Sequence, residues 1–121
     1  MAGDSLGRWG ESLAADYLQK KQYTITATNY RSRFGEIDLI AENGQFLVFV
    51  EVKLRKNSRF AQAREFVDGK KQEKLKQTAA IYLSENENVE KQPRFDVIEI
   101  YAPDGRSTEH PEIKHLEDAF E

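Results

Sequence analysis

The stretch Gly35-Glu36-Ile37-Asp38-Leu39-Ile40-Ala41-Glu42-Asn43-Gly44-Gln45-Phe46-Leu47-Val48-Phe49-Val50-Glu51-Val52-Lys53 decides the fold. Two apolar, partly β-branched runs, 35–41 and 46–55, flank Glu42-Asn43-Gly44-Gln45. Asn-Gly between two such runs is the strongest short-range signal for an antiparallel hairpin. Ionisable residues interrupt both runs: Glu36 and Asp38 in the first, Glu51 and Lys53 in the second. Burying a charge is costly unless it is paired or holds a metal, so the direction of these side chains decides what the hairpin can do.

A two-residue Asn43-Gly44 loop would set Glu42 opposite Gln45, Ala41 opposite Phe46, Asp38 opposite Phe49 and Glu36 opposite Glu51. Opposed residues share a face of the sheet, as do alternate residues along a strand. This register predicts Glu36, Asp38, Glu51 and Lys53 on one face. Val48, Val50, Val52 and Leu54 fall on the other, with Ile37 and Leu39. Asp38 and Glu51 become diagonal neighbours with Cα atoms ~7–8 Å apart, and Lys53 lies ~6.7 Å beyond Glu51 along its strand. A one-residue change in the loop would turn one strand over, so an even loop belongs to the expectation.

Like charges on one face oppose stability, and a divalent cation removes the conflict. Mg²⁺ (or Mn²⁺) binds hard oxygen donors, commonly one or two carboxylates with waters and substrate phosphate. Asp38 and Glu51 are suitable ligands, and the backbone carbonyl of Val52 can supply a third. Such a metal polarises a phosphoryl oxygen and lowers the pKa of a bound water. Lys53 can hold or help deprotonate that water, or stabilise charge developing on the phosphoryl oxygens. Glu36 is either a further acidic ligand or a helper at the rim.

Outward from the hairpin, residues 5–21 read as a helix capped by Asp4 or Ser5, with Leu6, Gly10, Leu13, Ala14, Tyr17 and Leu18 at helical spacing. Residues 23–30 read as a strand. Asp68 can cap a second helix over 69–84, with Leu75, Ala79, Tyr82 and Leu83 on one face. A strand at 94–102 ends at Ala102-Pro103-Asp104-Gly105, a turn, and 112–117 can add a short edge strand. The second helix serves as the crossover to a parallel strand. The expectation is one α/β domain over 1–121, with a mixed central sheet flanked by helices.

The composition fits that size. Hydrophobic residues make up 39% and charged residues 32% of 121, enough for one core with a solvated surface. Cysteine is absent, which excludes disulfides, thiolate metal sites and a cysteine nucleophile, and suits a reducing cytoplasm. The start has no basic region followed by an apolar run, so no signal peptide is expected, and no stretch approaches the ~20 apolar residues of a membrane span. The net charge of −3 argues against nucleic acid only until its distribution is read. Residues 53–76 hold nine Lys/Arg against three Asp/Glu, whereas 85–121 hold four against eleven. Arg31, Arg33, Arg55, Lys56 and Arg59 flank the strands and can track a phosphate backbone, and Lys71 on the second helix can approach a phosphate.

The two central runs resemble a family. Gly35-Glu36-Ile37-Asp38-Leu39-Ile40 followed by Val48-Phe49-Val50-Glu51-Val52-Lys53, with Arg55, is similar to the YraN-like uncharacterised proteins. These resemble archaeal Holliday-junction resolvases and the wider PD-(D/E)XK nuclease superfamily. Gly7-Arg8-Trp9-Gly10-Glu11, Asn29-Tyr30-Arg31, Lys71, Tyr82-Leu83 and Arg94-Phe95-Asp96-Val97 extend the likeness over nearly the whole chain. The resemblance implies a restriction-endonuclease-like fold and a site of Asp38, Glu51 and Lys53, with Glu11 as an extra metal or water ligand. Ile37 stands where the superfamily's eponymous proline would be. On a helical wheel Glu11 sits ~60° from Ala14, at the rim of the apolar stripe, where it can lean toward the sheet or pair with Arg8.

The expected activity is metal-dependent phosphodiester hydrolysis, with DNA, branched or single-stranded, as partner. A symmetric homodimer would suit a two-fold substrate. The rival readings are a nucleic-acid-binding module without turnover, and a protein-interaction domain working through the acidic 85–121 region.

Overall fold

The computed structural model describes residues 5–56, 68–86 and 90–120. Helix α1 (Leu6–Lys20) leads into β1 (Thr24–Arg31), β2 (Glu36–Glu42) and β3 (Phe46–Arg55). Helix α2 (Gly69–Glu85), β4 (Gln92–Tyr101), a short 3-10 turn at Gly105–Ser107 and β5 (Glu112–Phe120) follow. The sheet order is β1-β2-β3-β4-β5. All neighbours are antiparallel except β3 and β4, which run parallel. A parallel pair needs a crossover, and α2 is the helix between them.

Each face of the sheet buries one helix. Leu39, Ala41, Val48, Val50, Ile98 and Ile100 pack with Ala14 and Leu18 of α1. Ile37, Ile40, Leu47, Phe49 and Val97 pack with Leu75 and Ala79 of α2. The result is the three-layer, nuclease-like α/β arrangement expected from the sequence.

Local chemistry sets the element ends. Ser5 caps α1 by accepting from the Arg8 N–H, and Asp68 caps α2 by accepting from the Lys71 N–H. Helix α1 closes with Gln22 N donating to Gln19 O and Tyr23 N to Leu18 O, both 3.0 Å. Gln22 takes the left-handed φ of 73° that this closure requires and that glycine usually supplies. Strand β5 runs past the expected 117 because Asp118, at φ 53°, donates its N–H to Asp96, bringing Phe120 to stack on Phe95 at 5.0 Å.

The hairpin register differs from expectation. Glu42 faces Leu47, Ile40 faces Phe49 and Leu39 faces Val50, a shift of two residues. Asn43 is the cause. Its Oδ1 accepts from Gln45 N (2.9 Å) and Phe46 N (2.7 Å), so it opens a side-chain-closed turn instead of occupying one centre of an Asn-Gly loop. An even shift keeps every alternate residue on its face. Continued by one residue, this register sets Asp38 directly opposite Glu51, and Glu36 no longer faces Glu51.

Ile37 corrects the second expectation, since it packs under α2 and not with Leu39. In β1, Thr28 pairs with Leu39 and Tyr30 with Ile37, while Asn29 between them has φ 50°. The left-handed residue turns the strand over at Asn29 and Asp38, so the alternation changes parity there: Ile37 and Ile40 both pack under α2, and Leu39 packs under α1.

Candidate active site

The reversal at Asp38 coincides with the end of β2–β3 pairing. The last paired residues are Leu39 and Val50. Beyond them Asp38 Oδ2 accepts from the Val52 N–H at 2.8 Å. The carboxylate bridges the gap where the strands part and fills the role of a ladder acceptor.

Glu51 is 6% exposed, and Lys71 Nζ of α2 reaches its Oε2 at 2.6 Å. Lys53 Nζ stands 3.8 Å from the same oxygen. From α1, Glu11 Oε1 accepts from Asn29 Nδ2 at 3.1 Å, so its partner is Asn29 and not Arg8. Burial, then the Glu51 carboxylate, then Glu11, push Asp38 up to about 7, against the opposing pull of the Val52 N–H and Lys71. Like-charge crowding therefore marks these carboxylates as a group. Asp38, Glu51, Lys53 and Glu11 converge from three elements, and Val52 offers a backbone carbonyl beside Glu51.

The expected backbone-tracking cations separate. Arg31 is exposed and pairs with Glu36 at 3.4 Å, and Arg33 lies over the Phe34 ring. Lys56 is exposed, and Arg59 lies outside the described residues. Arg55 turns inward to the fully buried Glu99, whose other oxygen accepts from Tyr101 Oη at 2.7 Å. Among the described members of the group, Lys71 is the one that pairs with a carboxylate of the centre. Sequence spacing pairs neither Lys71 with Glu51 nor Asn29 with Glu11. Asparagine's tolerance of left-handed backbone was the available sign for the latter.

Asp96 and Glu99, both in the acidic 85–121 segment, are fully buried. Asp96 accepts from Arg94 Nε and an Arg94 terminal nitrogen (2.9 and 2.8 Å), from the Asp118 N–H, and pairs with His115 Nε2 at 2.7 Å. Against the upward push of burial, these bonds hold Asp96 below the ordinary carboxylate range. The network ties β4 to β5 and, through Tyr23 and Tyr17, to the α1 end of the sheet.

Among the described residues no three His, Cys, Asp or Glu form a ready-made metal cage. The donor set nevertheless fits a hard cation, which takes one or two carboxylates and completes its shell with water and phosphate. No helix among the described residues is long and apolar enough to cross a membrane.

Fold and site together define an α/β protein of nuclease-like architecture with a carboxylate–lysine centre. The model of an uncharacterised protein family, UPF0102, matches residues 10–100. A UPF0102 protein of Syntrophomonas wolfei is 43% identical over 115 residues, 95% of this chain and 96% of the relative. One of Thermodesulfovibrio yellowstonii is 43% identical over 120 residues, 99% of each chain. One of Caldanaerobacter subterraneus is 40% identical over 116 residues, 96% of this chain and 94% of the relative. The chain belongs to the UPF0102 family, the YraN-like group that its motifs resemble.

Proposed function

We propose that this protein is a metal-dependent nuclease that hydrolyses phosphodiester bonds of DNA in the manner of a junction resolvase. The supporting observation is the pair of carboxylates from two diverging strands, Asp38 and Glu51, with Lys53 and Lys71 against Glu51. Stability alone gives no reason to bury Asp38 and crowd it with Glu51 until its proton is held to about pH 7.

Asp38, Glu51, the Val52 carbonyl and Glu11 would hold Mg²⁺ or Mn²⁺. When bound, the ion supplies Lewis acidity toward a phosphoryl oxygen and a more acidic water. The Val52 N–H fixes Asp38 through Oδ2 and leaves Oδ1 without a hydrogen bond among the described residues. Asn29 likewise steadies Glu11. Lys53, about a quarter exposed, can donate to a phosphoryl oxygen while its stem stays packed.

The test pairs Mn²⁺ calorimetry with cleavage of branched and single-stranded DNA, for wild type, Asp38→Ala, Glu51→Ala and Lys53→Ala. The expected result is metal binding that needs both carboxylates and strengthens with uncut DNA, and cleavage lost in all three variants while they remain folded. Absence of Mn²⁺ binding with and without DNA would overturn the proposal. Salt-dependent DNA binding without cutting in any metal would leave a binding module.

A further inference from the structure

A cleft of about 360 Å³ opens beside the carboxylates, between the β1–β2 turn and the start of α2. Gly35 and Glu36 form one wall, and Lys70, Lys71 and Lys74 the other. The cleft is built into the fold. Ser32 Oγ and Thr78 Oγ1 share a 2.8 Å hydrogen bond that fastens the turn to α2, and Thr78 is fully buried. Gly35 lacks the Cβ that would stand 3.6 Å from Lys74 Cβ, which leaves the wall low.

Its charges are unequally engaged. Glu36 pairs with Arg31, and Asp68 at the mouth is spent on capping the Lys71 N–H. Lys71 lines the cleft and reaches Glu51 at 2.6 Å, so one side chain links the cleft to the carboxylate centre. Lys70 and Lys74 are exposed and have no ion-pair partner among the described residues. Four residues apart on α2, they present two ammonium groups on one side of the helix.

We infer that this cleft is a phosphate-binding subsite: Lys70 and Lys74 grip backbone phosphates of a nucleic-acid strand next to the one held at Asp38 and Glu51. The inference rests on the nuclease reading for its substrate class, and adds where the flanking strand lies. Two lysines act here as mobile point charges that need no base sequence. Lys71 stands at the junction of the two sites and guides the strand toward Glu51.

The experiment measures binding of a fluorescein-labelled single-stranded thymidine 20-mer to the full chain, in EDTA, across a salt series. Lys70→Gln/Lys74→Gln is compared with wild type and with Lys20→Gln/Lys114→Gln, which removes two exposed lysines elsewhere. Each lost single-strand phosphate contact lowers the salt slope by ~0.7. The expected result is a slope smaller by ~1.4 and a dissociation constant ~25-fold weaker at 0.1 M salt for the cleft variant alone. Mn²⁺ binding at Asp38 and Glu51 stays at the wild-type level. Equal losses in both variants, or in neither, overturn the inference. So does inorganic phosphate binding through Lys70 and Lys74 as tightly as the oligonucleotide, which would mark a site for a free anion. Cleavage with an unchanged salt slope would sink the subsite and spare the nuclease; a changed slope without cleavage in any metal would do the reverse.

Discussion

Asp38 Oδ2 and the Val52 N–H, 2.8 Å apart, join two strands at the point where their backbone ladder ends. A side chain thus does the work of a carbonyl, and the same side chain carries a proton affinity raised to about 7. Between pH 4 and 7 the folded chain binds more protons here than the unfolded chain. Stability therefore falls as pH rises through that window. Asp38→Asn keeps an acceptor for Val52 and removes the titration. It should be more stable than wild type at pH 8 by roughly 1–3 kcal/mol, with little difference near pH 4. Urea denaturation in EDTA at both pH values checks this, and a variant less stable at pH 8 would contradict it.

Lys71 neutralises a carboxylate that is almost wholly buried. Lys71→Met leaves Glu51 with Lys53 at 3.8 Å. Because Lys71 is half exposed, the loss should be modest, about 1 kcal/mol. Added Mn²⁺ should then raise the melting temperature of Lys71→Met more than that of wild type, since the ion replaces a missing positive charge. Thermal melts with and without Mn²⁺ read the difference.

Asn29 serves two purposes that substitution can separate. Asn29→Gly keeps the φ of 50° accessible, while Asn29→Ala strains it by ~1 kcal/mol. Both release Glu11 from its 3.1 Å bond. The expectation is a lower melting temperature for Ala than for Gly, with a similar loss of Mn²⁺ affinity, ~10-fold, in the two variants. Calorimetry and thermal melts on the same samples measure both.

Asp96 has the opposite pH sign to Asp38. Its folded proton affinity is depressed, so its contribution is present above the ordinary carboxylate range and is lost as pH falls through it. Asp96→Ala strands the buried Arg94 and should cost about 3–5 kcal/mol at pH 7. Arg94→Leu/Asp96→Leu should recover a large part of that loss, as measured by denaturant titration.

The expected helices and strands are present because their signals are local: Ser5 and Asp68 at caps, an apolar, partly β-branched run in 46–55, a turn after Ala102. The shared face of Glu51 and Lys53 was readable because they alternate along one strand, whatever the hairpin register. Ile37 was misplaced because strict alternation was carried through Asp38, and nothing in β2 itself announces the left-handed residue across from it in β1. Arg55 reads from the sequence as a cation that can track a phosphate backbone, because its partner, Glu99, is 44 residues away. Lys71 stands 20 residues after Glu51, and only the crossover of α2 brings them together. Proximity of this kind is set by packing, which a sequence pattern does not encode.

The hairpin tip offers a practical handle. Asn43 closes the turn with its own side chain, so Gly44 is not needed for a left-handed φ, and a Cβ there would meet nothing within 4 Å. The chain has no cysteine, so Gly44→Cys would create a unique thiol. A dye attached to it would ride roughly 23 Å along β3 from Glu51, close enough for energy transfer to a labelled oligonucleotide and too far to obstruct it.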